Sequence, residues 1–367
     1  MPPIISPLAI SPLKRRGGIS WSSYWATLIS ATVENAAPTN VVLTFPTAAS
    51  TVAADITCTV NGAARVVSSA SWTGAVWTVV LASAVVYGDV VVMTFVPSGG
   101  TTNITNNVAA EAELTIYITG LATPLSDAQK LKLNTLIRSL KAGLSITNLD
   151  DTFDAMWILA GETAESSLRN IVKNAHYATA VNSPTFTQYE GFKGNGANMY
   201  INTDFKASSN GINFTQNNAS VGVYIRNNIG EDKTDIGSYE GVSSTISINS
   251  RNVNFQARIN VDSSTYINEA IADSLGLSIC TRDGNLNTNM VAYRNKTSLT
   301  TKTGASATTA RNNLDNYILG LSGLVGYFTN RQVAFAFFGK HITTAMRDVI
   351  VDAIETYMDS NGKGVIV

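Results

Sequence analysis

Between about residues 32 and 119, apolar and polar positions alternate in short runs broken by turn residues. Thr39–Phe45, Ile56–Val60, Ala63–Ser68, Val76–Leu81, Val90–Val96 and Leu114–Thr119 each read as a strand, with no helical period among them. Asn61-Gly62 falls between two of these runs. That dipeptide is the strongest short hairpin signal, because both turn residues must take positive φ. Short strands with frequent turns predict an antiparallel β-sandwich of immunoglobulin type. Glu34, Asp55, Arg65, Asp89, Glu111 and Glu113 are the few ionisable groups here, which suits a structural module better than an active site.

The period then changes. Ser126-Asp-Ala-Gln129 has the form of a capping box, and Leu133, Leu136, Ile137, Leu140 and Leu144 recur at helical spacing. This predicts a connector helix within residues 121–149. It either covers a face of the following domain or meets a helix of another subunit. From residue 150 onward, strand-like runs alternate with Asn/Gly turns. Phe153–Ala160, Tyr200–Asn202, Ser220–Arg226, Thr245–Ile248, Asn254–Ile259, Leu275–Thr281, Met290–Asn295, Asn316–Gly320 and Gln332–Gly339 read as strands. Glu165–Lys173 reads as a short helix, and Thr344–Asp359 as an amphipathic one. The expected fold is dominated by β-structure: two successive sandwiches with a few peripheral helices.

Composition sharpens this picture. The 367 residues carry 25 Lys+Arg against 26 Asp+Glu, a net charge of -1. Without a basic excess there is little to neutralise phosphates, so nucleic acid is not an expected partner. Charged residues make up 14 %, where roughly 25 % is usual; Asn, Ser and Thr fill the difference. No apolar run approaches the ~20 residues of a membrane span. Cys58 and Cys280 are too few for a disulfide scaffold and read as small buried residues, with a single bond between them as the alternative. His176 and His341 show no metal-site or nucleophile spacing.

Residues 1–31 form a Pro-rich segment. Pro2, Pro3, Pro7 and Pro12 interrupt its apolar part, and Lys14, Arg15 and Arg16 follow that part instead of preceding it. This order is the reverse of a signal peptide, so no export signal is expected. Ile4, Ile5, Leu8, Ile10 and Leu13, followed by Arg15 and Arg16, predict an extended arm that docks on a partner; the alternative is coil packed on its own domain.

Two stretches resemble known groups. "ATVENAAPTNVVLTF", "CTVNGAARVVSSASWTG" and "VWTVVLASAVVYGDVVVMTFVP" resemble the immunoglobulin-like repeats of bacterial and phage surface proteins, notably the SwmB-type repeat. This covers residues 32–120 and implies a spacer or display role. "FDAMWILAGETAESSLRNIVKNAHYATAVNSPTFTQYEGFKGNGANMYINTDF", "SVGVYIRNNIGEDKTDIGSYEG" and "ILGLSGLVGYFTNRQVAFAFFGKHITTAMRDVIVDAIETYMDSNGKGV" resemble the concanavalin-A-like/laminin-G-like jelly-roll domains of phage particle proteins, especially from Bacteroidetes hosts. This covers residues 150–367.

The resemblance implies a phage protein made in the host cytoplasm and displayed on the virion, as a head fibre, a capsid decoration or a tail fibre. Other virion proteins would hold the arm, a homo-oligomer (a trimer) would form, and a host-surface glycan would be the ligand. A purely structural role against neighbouring virion proteins is the alternative, and a glycan depolymerase a third. Enzymes of the jelly-roll fold usually carry a Glu-x-Asp-x-x-Glu strand motif, which is absent here, so the expectation is that the chain is not an enzyme. Glu231, Asp232 and Asp235, beside Lys233, read as a solvated turn and not as a catalytic pair. No cofactor is expected, although Asp150, Asp151 and Asp154 are clustered oxygen donors of the kind calcium prefers. Asp154 has turn capping as its alternative. Sugar sites stack a ring on an exposed aromatic. Tyr239, Tyr266 and Tyr293 lie near polar loops and are the candidate ligand-binding residues, against the plainer reading of half-buried strand tyrosines.

Overall fold

The computed structural model describes residues 28–46, 56–95, 100–106, 108–241, 244–286, 289–301 and 309–366. The arm residues Ile4, Ile5, Leu8, Ile10, Leu13, Arg15 and Arg16 lie outside them. The chain divides into two compact units, Met1–Ala110 and Glu111–Val367.

The first unit contains β1 (Ser30–Val33), β2 (Asn40–Thr44), β3 (Ile56–Val60), β4 (Ala63–Arg65), β5 (Val67–Thr73), β6 (Val76–Leu81), β7 (Val91–Phe95) and β8 (Gly100–Asn106). They are ordered β4-β3-β7-β8-β1-β2-β6-β5. Neighbours run antiparallel except β1 and β8, where Thr32 lies opposite Thr105 in a parallel pair. Strands β1, β2, β6 and β5 form one layer of an immunoglobulin-like sandwich, and β3, β4, β7 and β8 the other. Alternation decides the core: Val41, Leu43, Trp77 and Val79 face Cys58, Val60, Val91 and Met93. Asn61 and Gly62 take φ of 54° and 80°, as the hairpin between β3 and β4 requires.

Leu114–Thr119, expected as a strand, is part of a helix, Ala112–Ile118, and belongs to the second unit. Tertiary packing overrides the β-rich composition here. Leu114 and Tyr117, three apart, are both buried, and the Tyr117 hydroxyl donates to Ser166 O at 2.6 Å. Glu113 anchors the same turn by accepting from Leu149 N and from Lys141 Nζ.

The second unit is a two-sheet jelly roll. Its strands are β9 (Phe153–Trp157), β10 (Thr179–Val181), β11 (Thr185–Thr187), β12 (Gly191–Lys193), β13 (Tyr200–Lys206), β14 (Asn218–Ile225), β15 (Ile236–Tyr239), β16 (Thr245–Asn249), β17 (Asn254–Val261), β18 (Ile267–Ala270), β19 (Gly276–Asp283), β20 (Met290–Arg294), β21 (Thr297–Thr301), β22 (Asp315–Ile318) and β23 (Gln332–Gly339). One sheet is β10-β13-β22-β15-β16-β17-β18; the other is β11-β12-β23-β14-β19-β20-β21, with β9 also pairing β23. Ile201, Ile236, Ile246, Ile248, Phe255 and Ile259 of the first pack against Val221, Val223, Cys280, Ala292 and Phe338 of the second. Cys58 and Cys280 are both free and buried, in different units. Burial pushes the Cys280 thiol up to about 12.

The outer face of the eight-stranded sheet is covered by the connector helix, Asp127–Leu144, and the C-terminal helix, Thr344–Ser360. The Tyr224 hydroxyl of β14 donates to Glu355 Oε2 at 2.5 Å, and Arg347 lies over the Tyr293 ring of β20. Ser126 caps the connector helix by accepting from Gln129 N. The Gln129 side chain does not reach back as a capping box would; it donates to the Tyr357 hydroxyl at 2.6 Å and ties the two helices together. The short helix expected over Glu165–Lys173 is a single turn, Ala164–Ser167.

Candidate functional site

With two helices on one sheet, the candidate surface is the outer face of the seven-stranded sheet. Inward isoleucines fix which residues look outward, since the side-chain period of a strand is two. Followed from strand to strand, one row of outward positions crosses the sheet: Asn202 on β13 is opposite Tyr317 on β22, which is opposite Gly237 on β15, then Ser247 on β16, then Arg258 on β17. At about 4.8 Å per strand, the part of the row from Tyr317 to Arg258 is roughly 14 Å long.

Its first end is aromatic. The Tyr200 and Tyr317 rings stack at 4.1 Å between centroids, and Phe328 stacks on the Tyr200 ring at 5.6 Å. All three are half-buried. Burial, then the neighbouring Tyr317 hydroxyl, raises the pKa of Tyr200. Beside the stack, the Asn202 side-chain amide donates to Asp315 Oδ2 at 3.3 Å. Tyr200 occupies the β13 side of Tyr317. On its β15 side the next position is Gly237, which adds no side chain to the row and is itself buried. Only glycine fits there: φ is 155°, and a Cβ would lie 2.1 Å from Ile246 O.

Its second end is cationic. The Arg258 Cζ lies 4.3 Å from the centroid of the Tyr266 ring, its Nε donates to Ser263 O at 3.1 Å, and its Nη1 reaches Ser247 Oγ at 3.5 Å. Burial lowers its pKa, against opposing contributions from Tyr266, Asp232, Tyr327 and Asp262.

Two of the three tyrosines singled out from the sequence share this face. Tyr239 lies on β15 opposite Thr245, two positions along from Gly237, and Tyr266 supports Arg258. Tyr293 does not join them. It is 5 % exposed, on the other sheet and beneath Arg347, because its register partner Ile279 faces the helical layer. Tyr200, Tyr317 and Phe328 escaped the sequence reading. Their signal was the neighbouring inward isoleucines, Ile201 and Ile318, which set the tyrosines outward.

The turn around Glu231 is not a solvated one. Asp235 and Arg331 form an ion pair at 2.8 Å with both side chains fully buried. Arg331 also donates to Ile229 O and Glu231 O, while Glu231 accepts from Asn330 N at 2.8 Å. These bonds pin the 227–235 loop to the 327–331 segment beside the open face. Asp154 caps a turn: its carboxylate accepts from Ile212 N, Asn213 N and Phe214 N. Asp151 accepts from Thr147 N and Asn148 N. Among the described residues, no group of three or more His, Cys, Asp or Glu side chains is placed to hold a metal ion.

No protein-family model and no curated protein matches the chain. Solved structures do. Domain 4 of AbnA, an extracellular arabinanase from Geobacillus stearothermophilus, solved with arabinotriose, is 12 % identical; the match covers 54 % of this chain and 98 % of that one, at a TM-score of 0.38. A Trypanosoma rangeli sialidase is 9 % identical over 89 % of this chain and 52 % of its own length, at 0.41. A botulinum neurotoxin serotype D binding domain is 12 % identical over 55 % of this chain and 52 % of its own, also at 0.41. The chain thus spans about half of the sialidase and of the toxin domain. Likeness at this level assigns neither a substrate nor an activity. It does correct one expectation: the sequence reading that the chain is not an enzyme does not stand, because sialidases and an arabinanase domain are among the matches.

Proposed function

We propose that the second unit binds an oligosaccharide across the outer face of its seven-stranded sheet, and that the protein serves adhesion to a glycan-bearing surface. The observation that carries this is the half-buried Tyr200–Tyr317–Phe328 stack on the outer face of that sheet. A sugar ring presents an apolar C–H face to an aromatic ring and hydroxyls to amides and carboxylates. The Tyr317 ring supplies the first, and Asn202 and Asp315 the second. The row is long enough for a short oligosaccharide. The virion setting, anchorage through residues 1–31 to other virion proteins and a trimeric assembly belong to the same proposal; their support is the sequence resemblance. Repetition of weak contacts over many copies would supply avidity.

A second reading, packing against a neighbouring virion protein, has its own observation. A groove of about 220 Å³ runs between the connector and C-terminal helices, lined by Leu131, Leu136, Ala353 and Tyr357 among others.

The test is a glycan array followed by calorimetry on the full chain. The expected result is binding to a defined oligosaccharide set that Tyr317→Ala weakens about tenfold, with little change in melting temperature. No bound glycan, or binding unaffected in Tyr317→Ala, would overturn the reading.

A further inference from the structure

Arg258 differs from most guanidinium groups of the second unit; that of Arg251, which has neither a carboxylate nor a main-chain partner among the described residues, donates to Asn228 Oδ1 at 2.7 Å. Arg331, Arg294 and Arg226 each reach a carboxylate, on Asp235, Asp273 and Glu190. Arg282 and Arg311 are each surrounded by three main-chain carbonyls. Arg258 has one carbonyl, Ser263 O, and a long contact to Ser247 Oγ. Its Nη2 has no hydrogen-bond partner among the described residues. Two carboxylates are in the neighbourhood, but neither forms an ion pair with it. Asp262 is turned into its own loop, accepting from the main chain of Ser264 and Thr265 and from the Thr265 hydroxyl. Asp232 accepts from the Asn249 amide at 3.4 Å.

Holding a half-buried cation without a counter-ion is unfavourable, and burial accordingly lowers the pKa of this group. The side chain is nonetheless held in place. Tyr266 lies against its plane and Ser263 O fixes Nε, which leaves Nη1 with the long contact to Ser247 Oγ and Nη2 without a partner among the described residues. A planar, fixed fork with free donors matches a carboxylate.

Resting on the carbohydrate reading above, we infer that the ligand is an acidic oligosaccharide whose carboxylate is received by Arg258, with Ser247 beside it, while a neighbouring ring lies against Tyr317. The spacing fits: Gly237 and Ser247 separate the two ends of the row, so the acidic residue and the stacked residue are different sugars of one chain. The inference explains why the face needs both an aromatic end and a cationic one, which a neutral glycan would not.

The experiment measures affinity of the full chain for oligogalacturonates and for the same oligosaccharides after reduction of their carboxyl groups to neutral alcohols. Neutral oligosaccharides that score on the array are run in parallel. The acidic form is expected to bind about tenfold more tightly than its reduced form. Arg258→Gln should remove most of that ratio and leave the affinity for the reduced form within about twofold. Arg258→Lys, which keeps a cation and its aliphatic stem against Tyr266, controls for packing and should retain more of the ratio than Arg258→Gln. Neutral glycans bound with no preference for the acidic form, or an unchanged ratio in Arg258→Gln, would overturn the inference while leaving the carbohydrate reading intact. No binding to any oligosaccharide would overturn both.

Discussion

The two sheets of the second unit share one core and differ in what lies outside it. On the eight-stranded sheet, Tyr224, Phe335, Phe337, Leu277 and Ile279 point away from the core and are still buried, because two helices lie over them. On the seven-stranded sheet, the equivalent positions at Asn202, Tyr317, Gln256 and Arg258 are half-buried, while Gly237 and Ser247 between them are buried. The strands record this difference. β23 is apolar on both faces, whereas β17 alternates strictly, Asn-Phe-Gln-Ala-Arg-Ile. A strand covered on both sides needs no polar set; one that meets solvent does. The open sheet is therefore where residues are free to serve a ligand, and the covered sheet is where they serve stability.

That division is testable by paired substitutions. Phe337→Ala, under the helices, removes a ring in edge contact with Phe153 at 5.3 Å and leaves a cavity; it should cost about 3–5 kcal/mol in chemical denaturation. Tyr317→Ala, on the open sheet, should cost about 1 kcal/mol or less. Equal losses would erase the distinction between the two faces.

Arg331→Met probes the boundary between them. It leaves the fully buried Asp235 carboxyl without its guanidinium partner, with Ser250 N donating to it at 2.6 Å. The expected loss is also about 3–5 kcal/mol, accompanied by faster proteolysis within the 227–235 loop. Arg258→Gln, which breaks no ion pair, should unfold at nearly the wild-type denaturant concentration. A mild effect of Arg331→Met would mean that the loop beside the open face is held by its other bonds.

Much of the fold is legible in the sequence, and the reasons are local. Val76–Leu81 and Gln332–Gly339 have the bounds expected from pattern, because apolar runs bounded by turn residues leave little choice. The helix at Ala112–Ile118 was not legible, since its β-rich composition is outweighed by burial of Leu114 and Tyr117 against elements distant in sequence. The candidate site is legible only in pieces. Tyr239 and Tyr266 could be singled out one by one, but Tyr200 and Tyr317 become a stack only when β13 pairs with β22. Asp235 looked like an exposed turn because Arg331, its partner, is far along the chain. Contacts between adjacent strands of high sequence separation carry the chemistry here, and no spacing rule encodes them.

The smallest effect expected belongs to His341, at the end of β23 on the covered side, with Nδ1 2.9 Å from Thr281 Oγ1. Burial lowers its pKa, and Asp283 opposes this only in part. The unfolded chain therefore takes up a proton near the ordinary histidine value of about 6.5 before the folded one does. Stability should be fully present above that value, fall as pH drops through the window down to the lowered folded pKa, and level off below it. Carboxylates that lose stabilising partners on acidification, such as Glu190 beside Lys363 and Arg226, titrate lower still, so denaturation between about pH 7.5 and 5 isolates the histidines. His176 is the only other histidine of the chain. His341→Gln should flatten the slope in this window. A slope that survives His341→Gln would show that the pH sensitivity does not come from the His341 ring beside Thr281.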